Sequence, residues 1–264
     1  MDSATQDMEE ARRTAARVLA NIRAARPLVL SLTNTVAQAF TANALLAVGA
    51  SPIMLEDDTE AQELLRARCG GLLVNVGTLT AAQAGTMQAA VRTANGCGVP
   101  WVLDPVAFGL LSFRTSFCRE LLPFRPAIIR GNPSEITSLA DAGGTPTSRG
   151  TESTIPPADA LEAAQRLALT HRTTILVTGE VDYATDGTAV HALRTGHPLM
   201  ARVAGTGCVL GALCAACLPC ARTPLEAAVA AACIMGEAGR RAAARATRAG
   251  SFATALLDEL DSAE

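Results

Sequence analysis

The feature that most limits the possible folds is an alternation of short apolar runs with longer segments of helical periodicity. The runs are residues 28–32, 51–55, 71–76, 101–103, 127–129 and 174–177. Strands that alternate with helices build a mostly parallel sheet covered by helices on both faces. We therefore predict a three-layer α/β fold, extended by a hairpin over 183–193, where Asp186-Gly187 supplies the turn.

The chain has 264 residues and contains neither an internal repeat nor a stretch of linker composition. A single domain over residues 1–264 is predicted, since this length suits one large α/β domain. The segment 143–157 is rich in Gly, Thr, Ser and Pro and is long enough to act as a lid.

Composition excludes several classes of function. All 22 basic residues are arginine, so the lysine required by P-loops, Schiff-base enzymes and protein kinases is missing. A net charge of −3 and an aromatic content of 3% argue against a nucleic-acid surface. No secretory signal is recognisable, and the uncharged run 203–221 contains three glycines and a proline, so we expect no membrane span and a cytoplasmic protein.

An apolar run over 199–203 leads into Gly205-Thr206-Gly207 and then into a helical Ala/Leu/Cys-rich segment. We predict a strand, a glycine turn and a helix start, whose free N–H groups and positive dipole favour an anion. Cys208 falls in the first helical turn, where a thiolate is favoured. The alternative is an ordinary turn, because a lone Gly-x-Gly is weak evidence.

In open parallel sheets, ligands bind beyond the carboxyl ends of the strands. The residues at those positions form a polar, glycine-rich rim that predicts a site for a small anionic ligand: Asn34, Met54, Gly77, Asp104, Arg130 to Asn132, Thr178-Gly179 and Gly205 to Cys208.

Each polar rim residue also has a purely structural interpretation. Asn132-Pro133-Ser134-Glu135 matches a capping box, yet Glu135 pointing into a phosphate site can hold Mg²⁺ through water. Asp104 is either a turn residue before proline or a second carboxylate near the metal. Arg130 and Thr178 are candidate phosphate donors, and Thr178 is equally a turn residue.

Cys214, Cys217 and Cys220 are spaced as C-x-x-C-x-x-C, which can hold an iron–sulfur cluster. The segment is helical in pattern, and cysteine is also an ordinary small core residue. We predict that these three cysteines are structural.

Six segments, in this order along the chain, resemble hydroxyethylthiazole kinase: ANALLAVGASPIM, VGTLT, WVLDPV, IRGNPSEI, VTGEVDY and GTGC. The resemblance runs from about residue 27 to residue 260. It implies a ribokinase-like fold, a homotrimer with sites between subunits, and Mg²⁺-assisted phosphorylation of 4-methyl-5-(2-hydroxyethyl)thiazole by ATP in thiamine salvage.

Matched position by position, the resemblance also implies residue roles. Met54, Gly205 and Asn34 would bind the thiazole alcohol, and Arg130 and Thr178 would bind ATP. Cys208 stands where related sugar kinases carry a catalytic aspartate. Asp104 and Glu135 would lie near Mg²⁺.

Other functions remain open at this point. A hydroxymethylpyrimidine kinase or an ATP-dependent dehydratase would share the fold, although Cys208 in place of an acid disfavours the former. A non-catalytic nucleotide sensor or an iron–sulfur protein is the alternative from another class.

Overall fold

The structure is a computed structural model that describes residues 3–141 and 156–263. Within this part it contains eight strands: β1 Leu28–Leu32, β2 Ser51–Met54, β3 Gly71–Asn75, β4 Trp101–Asp104, β5 Ile128–Gly131, β6 Thr174–Val177, β7 Asp182–Thr185 and β8 Val190–Leu193. The helices are α1 Ser3–Ala25, α2 Gln38–Ala47, α3 Asp58–Ala67, α4 Ala81–Cys97, α5 Ser112–Leu121, α6 Pro133–Ala140, α7 Leu161–His171, α8 Thr206–Cys217, α9 Pro224–Arg245 and α10 Ala249–Asp261. The predicted lid falls almost wholly outside the described residues.

The strands form one sheet in the order β2-β1-β3-β4-β5-β6-β7-β8. The first six strands are parallel, and β7 and β8 add an antiparallel hairpin at the edge. The predicted three-layer fold and the hairpin are therefore confirmed.

Two hydrophobic cores lie on opposite faces of the sheet. Alternation along each strand assigns its side chains: Val29 joins the core under α1, α2, α8, α9 and α10, whereas Leu30 joins the core under α3 to α7. Every residue of β3 is buried, as expected for a central parallel strand.

Helix α8 lies unusually close to the sheet. A Cβ atom on Gly71 would stand 2.3 Å from the carbonyl oxygen of Ala215, so the backbones of β3 and α8 pack directly against each other. This contact requires glycine, since any side chain at residue 71 would push α8 away.

The predicted helix starts are largely confirmed. Asp57 caps α3 by accepting hydrogen bonds from Thr59 N and Glu60 N. Asn132 and Glu135 form the predicted capping box of α6. The sequence analysis missed α5, which has few strong helix formers and whose first turn has no side-chain cap.

The strand predicted over residues 199–203 is wrong. Residues Pro198–Arg202 form a 3₁₀ helix instead. Pro198 fits the first helical turn, and His197 Nδ1 caps it by accepting a hydrogen bond from Leu199 N at 3.2 Å. Thr206 Oγ1 donates to the carbonyl oxygens of Met200 and Val203, which holds this turn against the start of α8.

Candidate active site

The predicted rim residues lie together at the carboxyl edge of the parallel sheet. Asn34 follows β1, Asp104 ends β4, Arg130 lies in β5, Thr178 follows β6, and Cys208 is in the first turn of α8. Met54 ends β2 at the same edge, separated from β3 by β1. The fold thus assembles a site from segments far apart in sequence.

A group of four side chains occupies the middle of this edge, which we call the amide cluster: Asn34, Asn75, Asp104 and Cys208. Asn34 Nδ2 donates to Asn75 Oδ1 and to Cys208 Sγ, each at 2.9 Å. Asn75 Nδ2 donates to Asp104 Oδ2 at 2.6 Å and to Cys208 Sγ at 3.3 Å. The sulfur therefore accepts two amide N–H groups.

Asp104 is fully buried. Its Oδ1 atom lies 3.5 Å from Arg130 Nη1 but has no hydrogen-bond partner among the described residues. Burial raises the pKa of Asp104 despite the opposing charge of Arg130 and the hydrogen bond from Asn75. A buried oxygen of this kind is suited to a cation.

Glu135 lies next to Asp104 and joins two loops. Its Oε2 atom accepts from Asn132 N at 2.9 Å, and its Oε1 atom accepts from Ala107 N at 2.8 Å. Ala107 has a φ of 62°, which is uncommon for a residue other than glycine. Burial, followed by the charge of Asp104, raises the pKa of Glu135 to about 7.

Arg130 is the cation of the site. Its Nη2 atom donates to Thr178 Oγ1 at 2.9 Å, and its guanidinium lies against the start of α8. A Cβ atom on Gly207 would stand 2.7 Å from Nη1, so glycine leaves the space that Arg130 occupies. Gly205, with φ 93°, precedes the first turn of α8 in a conformation that favours glycine.

A cavity of about 610 Å³, which we call the strand-end cavity, opens beside Arg130. Its walls include Thr178, Asp182 and Gly207, together with the 3₁₀ helix Pro198–Arg202 and the middle of α9. The volume is within the range of small-molecule sites. The cavity thus joins a partly buried cation and a helix N-terminus to a space that a nucleotide can fill.

The sequence profile of the hydroxyethylthiazole kinase family matches residues 19–264. This chain belongs to the hydroxyethylthiazole kinase family. A hydroxyethylthiazole kinase from Akkermansia muciniphila is 53% identical over 242 residues, which cover 92% of this chain and 89% of that protein. The predicted family is confirmed.

Solved structures agree with this assignment. The structure of a hydroxyethylthiazole kinase protein from Pyrococcus horikoshii has a TM-score of 0.87 at 36% identity and covers 95% of this chain and 93% of that chain. A ribokinase-like superfamily protein from Enterococcus faecalis is similar in fold alone, with a TM-score of 0.65 at 13% identity over 92% of this chain and 88% of that one. The ribokinase-like fold class is confirmed as well.

One expectation about this kinase site is wrong. Position at the start of α8 predicted a lowered pKa for the Cys208 thiol. Burial, followed by the negative charge of Asp104, instead raises the pKa of Cys208, and the amides and Arg130 offset this only in part. In this site, desolvation outweighs the helix terminus.

Sequence reasoning also missed two side chains of the site. Asn75 is the one amide in the apolar run 71–76, and that exception was the available signal. Asp182 lines the strand-end cavity and accepts a hydrogen bond from Gly179 N at 2.9 Å. Burial raises the pKa of Asp182 to about 6.

The cysteines at 214, 217 and 220 lie in the core on the α8 side of the sheet. Burial raises the pKa of all three thiols, that of Cys214 to about 12, whereas a cluster needs thiolates. Among the described residues, no group of three or more His, Cys, Asp or Glu side chains is arranged to hold a metal. Within the same part of the chain, every helix is too short or too polar to cross a membrane.

Proposed function

We propose that this site transfers the γ-phosphoryl group of ATP to the hydroxyl of 4-methyl-5-(2-hydroxyethyl)thiazole, with Mg²⁺ as the metal. Family membership makes the protein a kinase with an alcohol acceptor in thiamine salvage. The observation that supports this site is the meeting of a partly buried arginine, a helix N-terminus and a cavity of about 610 Å³ at one edge of the sheet. The arginine and the helix N-terminus suit the negative charge of the ATP phosphates, and the cavity suits the volume of the nucleotide.

Arg130 and Thr178 are assigned to the nucleotide. The guanidinium supplies a charge-assisted donor that a chain without lysine obtains only from arginine. The N–H groups of Gly207 and Cys208, in the first turn of α8, are assigned to the transferred group. Charge that develops on the phosphoryl oxygens is thereby met by groups already in place.

Asn34, Met54 and Gly205 are assigned to the thiazole alcohol. Asn34 follows β1, Met54 ends β2, and Gly205 lies against Ala37 in the segment after β1, and none of the three lines the strand-end cavity. The two ligands would therefore approach Cys208 from opposite sides.

Cys208 is assigned as the base. The alcohol oxygen forms a bond to the γ-phosphorus, the bond from that phosphorus to the bridging oxygen of ADP breaks, and the hydroxyl proton passes to the Cys208 thiolate, which becomes the thiol. The proton leaves late in a loose transition state, so a weak base suffices. Because the pKa of Cys208 is raised, the acid limb of the rate profile is expected on the alkaline side of neutrality.

Asp104 and Glu135 are assigned to Mg²⁺, and their environment fits a cation. Asp104 Oδ1 is buried without a hydrogen-bond partner among the described residues, and the charge of Asp104 adds to the effect of burial in raising the pKa of Glu135. Mg²⁺ needs only one or two protein carboxylates, since water and phosphates supply its other ligands. When bound, the ion neutralises charge on the β- and γ-phosphates.

We also propose a homotrimer with sites between subunits, one kinase domain over residues 1–264, and a cytoplasmic location. The exposure of Val36 and Leu46, which are 74% and 58% accessible beside and within α2, supports a partner on the β2 side of the sheet. Light scattering of the purified protein tests the assembly, and a mass of three chains is the expected result.

The function is tested by measuring ADP release and product mass with ATP and three acceptors, with and without Mg²⁺. The acceptors are the thiazole alcohol, hydroxymethylpyrimidine and a hydrated nicotinamide cofactor. We expect rapid, Mg²⁺-dependent phosphorylation of the thiazole alcohol only. Preference for another acceptor contradicts the proposal, and iron in anaerobically purified protein would support the cluster alternative.

A further inference from the structure

One buried side chain holds two of the reactive groups of the site. Asn75 is the last residue of β3 and is 1% exposed. Its register partner on the neighbouring strand is Asp104. The start of α8 brings Cys208 over the same point, so the Asn75 amide lies between a carboxylate and a thiol.

The orientation of this amide is fixed by its neighbours. Asn75 Oδ1 accepts from Gly77 N at 3.0 Å and from Asn34 Nδ2 at 2.9 Å. A backbone N–H group can only donate and an ionised carboxylate can only accept, so the reversed amide would lose the bonds to both Gly77 and Asp104. Nδ2 must therefore face Asp104 and Cys208.

Both hydrogens of Nδ2 are then used, one on Asp104 Oδ2 and one on Cys208 Sγ. The second amide on the sulfur, from Asn34, is itself held by Asn75 Oδ1 and by the bond from Ala37 N to Asn34 Oδ1 at 3.1 Å. Gly77 makes room for this arrangement, since a Cβ atom there would stand 2.8 Å from Asn34 Cβ. Removing the Asn75 amide therefore loosens both donors to the sulfur.

We propose that Asn75 is a positioning residue for phosphoryl transfer: its amide fixes the Cys208 sulfur relative to the Asp104 carboxylate and presents that sulfur as a hydrogen-bond acceptor. The inference rests on the proposed role of Cys208 as base. Asn75 acts through Cys208, and the reaction itself needs no contact between Asn75 and substrate.

The surroundings of the sulfur define what the amide does. Within the described part of the chain, the charged groups that act on Cys208 are Asp104 from β4 and Arg130 from β5, with opposite signs. The amides of Asn34 and Asn75 are the neutral donors, and both favour the thiolate. Asp104 raises the pKa of Cys208 and the hydrogen bond from Asn75 lowers it, so loss of the Asn75 donor should raise this pKa further.

The test uses Asn75→Ala and Asn75→Asp in the full-length protein. Asn75→Asp keeps the size and the acceptor oxygen but replaces the Nδ2 donor by a second acceptor, so it tests the idea even if the alanine variant folds poorly. Asn95→Ala is the matched control: Asn95 also bridges two groups, accepting from Trp101 Nε1 at 3.2 Å and donating to the carbonyl oxygen of Phe124 at 2.7 Å, but it lies outside the amide cluster.

The first readout does not depend on activity. Iodoacetamide labelling of the ligand-free protein is followed by peptide mass spectrometry from pH 6 to 11, with the exposed Cys97 as internal reference. We expect the labelling midpoint of Cys208 to rise by about one pH unit in Asn75→Ala, and by more in Asn75→Asp. Cys97 and the Asn95→Ala protein should keep their midpoints. An unchanged Cys208 midpoint in both Asn75 variants would overturn the proposal.

The second readout is a double-mutant cycle on kcat with Cys208→Ala. We expect Asn75→Ala to lower kcat about tenfold, with less than a threefold change in the KM of ATP, and to have little further effect in the Cys208→Ala background. An equal loss in both backgrounds would mean that Asn75 acts elsewhere, and the proposal would be wrong. Absence of thiazole phosphorylation by the parent enzyme would refute the proposed function instead, while the labelling result would stand.

Discussion

The amide cluster and the strand-end cavity are adjacent, yet they are built in opposite ways. In the cluster, the side-chain amides of Asn34 and Asn75 use all their hydrogens inside the protein. In the cavity wall, Arg130 donates from Nη2 to Thr178 and has Nη1 3.5 Å from Asp104 Oδ1, and its guanidinium borders a space of about 610 Å³. Side chains whose hydrogen bonds are all made inside the protein are held in fixed positions, whereas groups that line an open cavity can form further hydrogen bonds with a ligand. We infer that chemistry is located in the first region and nucleotide affinity in the second.

The largest expected effect comes from Cys208→Ala, which tests the first half of this comparison. It should lower kcat about 10²-fold, the low end for a general base, with little change in affinity for either substrate. Cys208→Asp should keep activity and move the acid limb of the pH profile down, because a carboxylate ionises below a thiol. Single-turnover rates from pH 6 to 9 measure both variants, and Cys97→Ala is the control. An alanine variant with the parent's rate and profile would refute the role of the sulfur.

Arg130→Ala tests whether the strand-end cavity determines the affinity for the nucleotide. Loss of a charge-assisted donor, about 1.5–3 kcal/mol, should weaken ATP binding roughly 10- to 150-fold and leave thiazole binding nearly intact. Calorimetric titration with each ligand measures the two affinities. Arg13→Ala, on the exposed face of α1, is the matched control. Equal loss of both ligands, or no loss, would mean that the two regions are not separate.

Glu135 is influenced by the charges of both Asp104 and Arg130, and its own titration should be visible in the stability of the metal-free protein. Its pKa is raised from 4.5 to about 7 in the folded state, so the folded protein binds more protons than the unfolded chain between these values. The free energy of unfolding should therefore fall as pH rises from about 4.5 to 7, by about 1–3 kcal/mol from this group.

Urea unfolding in EDTA at pH 5, 6, 7 and 8 tests this expectation. Glu135→Gln should flatten the slope, because its amide does not titrate, even if its overall stability is lower. Asp104 has a pKa raised in the same direction, so part of the slope should remain in the variant. A parent protein whose stability rises across this window would contradict the assignment.

The smallest effect on activity is expected outside both regions. Replacing Cys214, Cys217 and Cys220 together by alanine should lower the free energy of unfolding by about 1 kcal/mol per site and leave kcat unchanged, because each sulfur fills only a small core volume. Melting curves and steady-state kinetics are the measurements. Inactivity in a variant of parental stability would show that the core cysteines do more than pack.

Much of this molecule follows from local pattern. The alternation of apolar runs with helices predicts the sheet, and the polar residues after each run predict the rim, because parallel strands share one carboxyl edge. Asn132 and Glu135 show that a capping box is equally readable from sequence. Rim position predicts Arg130 and Thr178 as phosphate donors, and the family resemblance adds the roles proposed for them with ATP and for Cys208 as the base.

The sequence pattern does not show which of two opposing effects on a residue is the larger, because one of them depends on contacts made only in the folded protein. Cys208 lies at a helix start, which lowers a thiol pKa, but burial beside Asp104 raises it, and burial depends on the whole fold. Pro198 and the capping His197 turn an apolar run into a 3₁₀ helix through contacts that spacing alone does not show. Asn75 was overlooked because its partners come from three distant segments.

The close packing of α8 on β3 at Gly71 has a consequence for the timing of catalysis. With the carbonyl oxygen of Ala215 against β3, the last turn of α8 has no room to move closer to the sheet, and Gly211 in the middle of the helix packs against Leu73 in the same way. A phosphoryl group then meets dipoles that need no reorientation, whereas water would have to reorganise around the same developing charge. We infer that the close packing allowed by Gly71 helps to preorganise α8 for the proposed phosphoryl transfer.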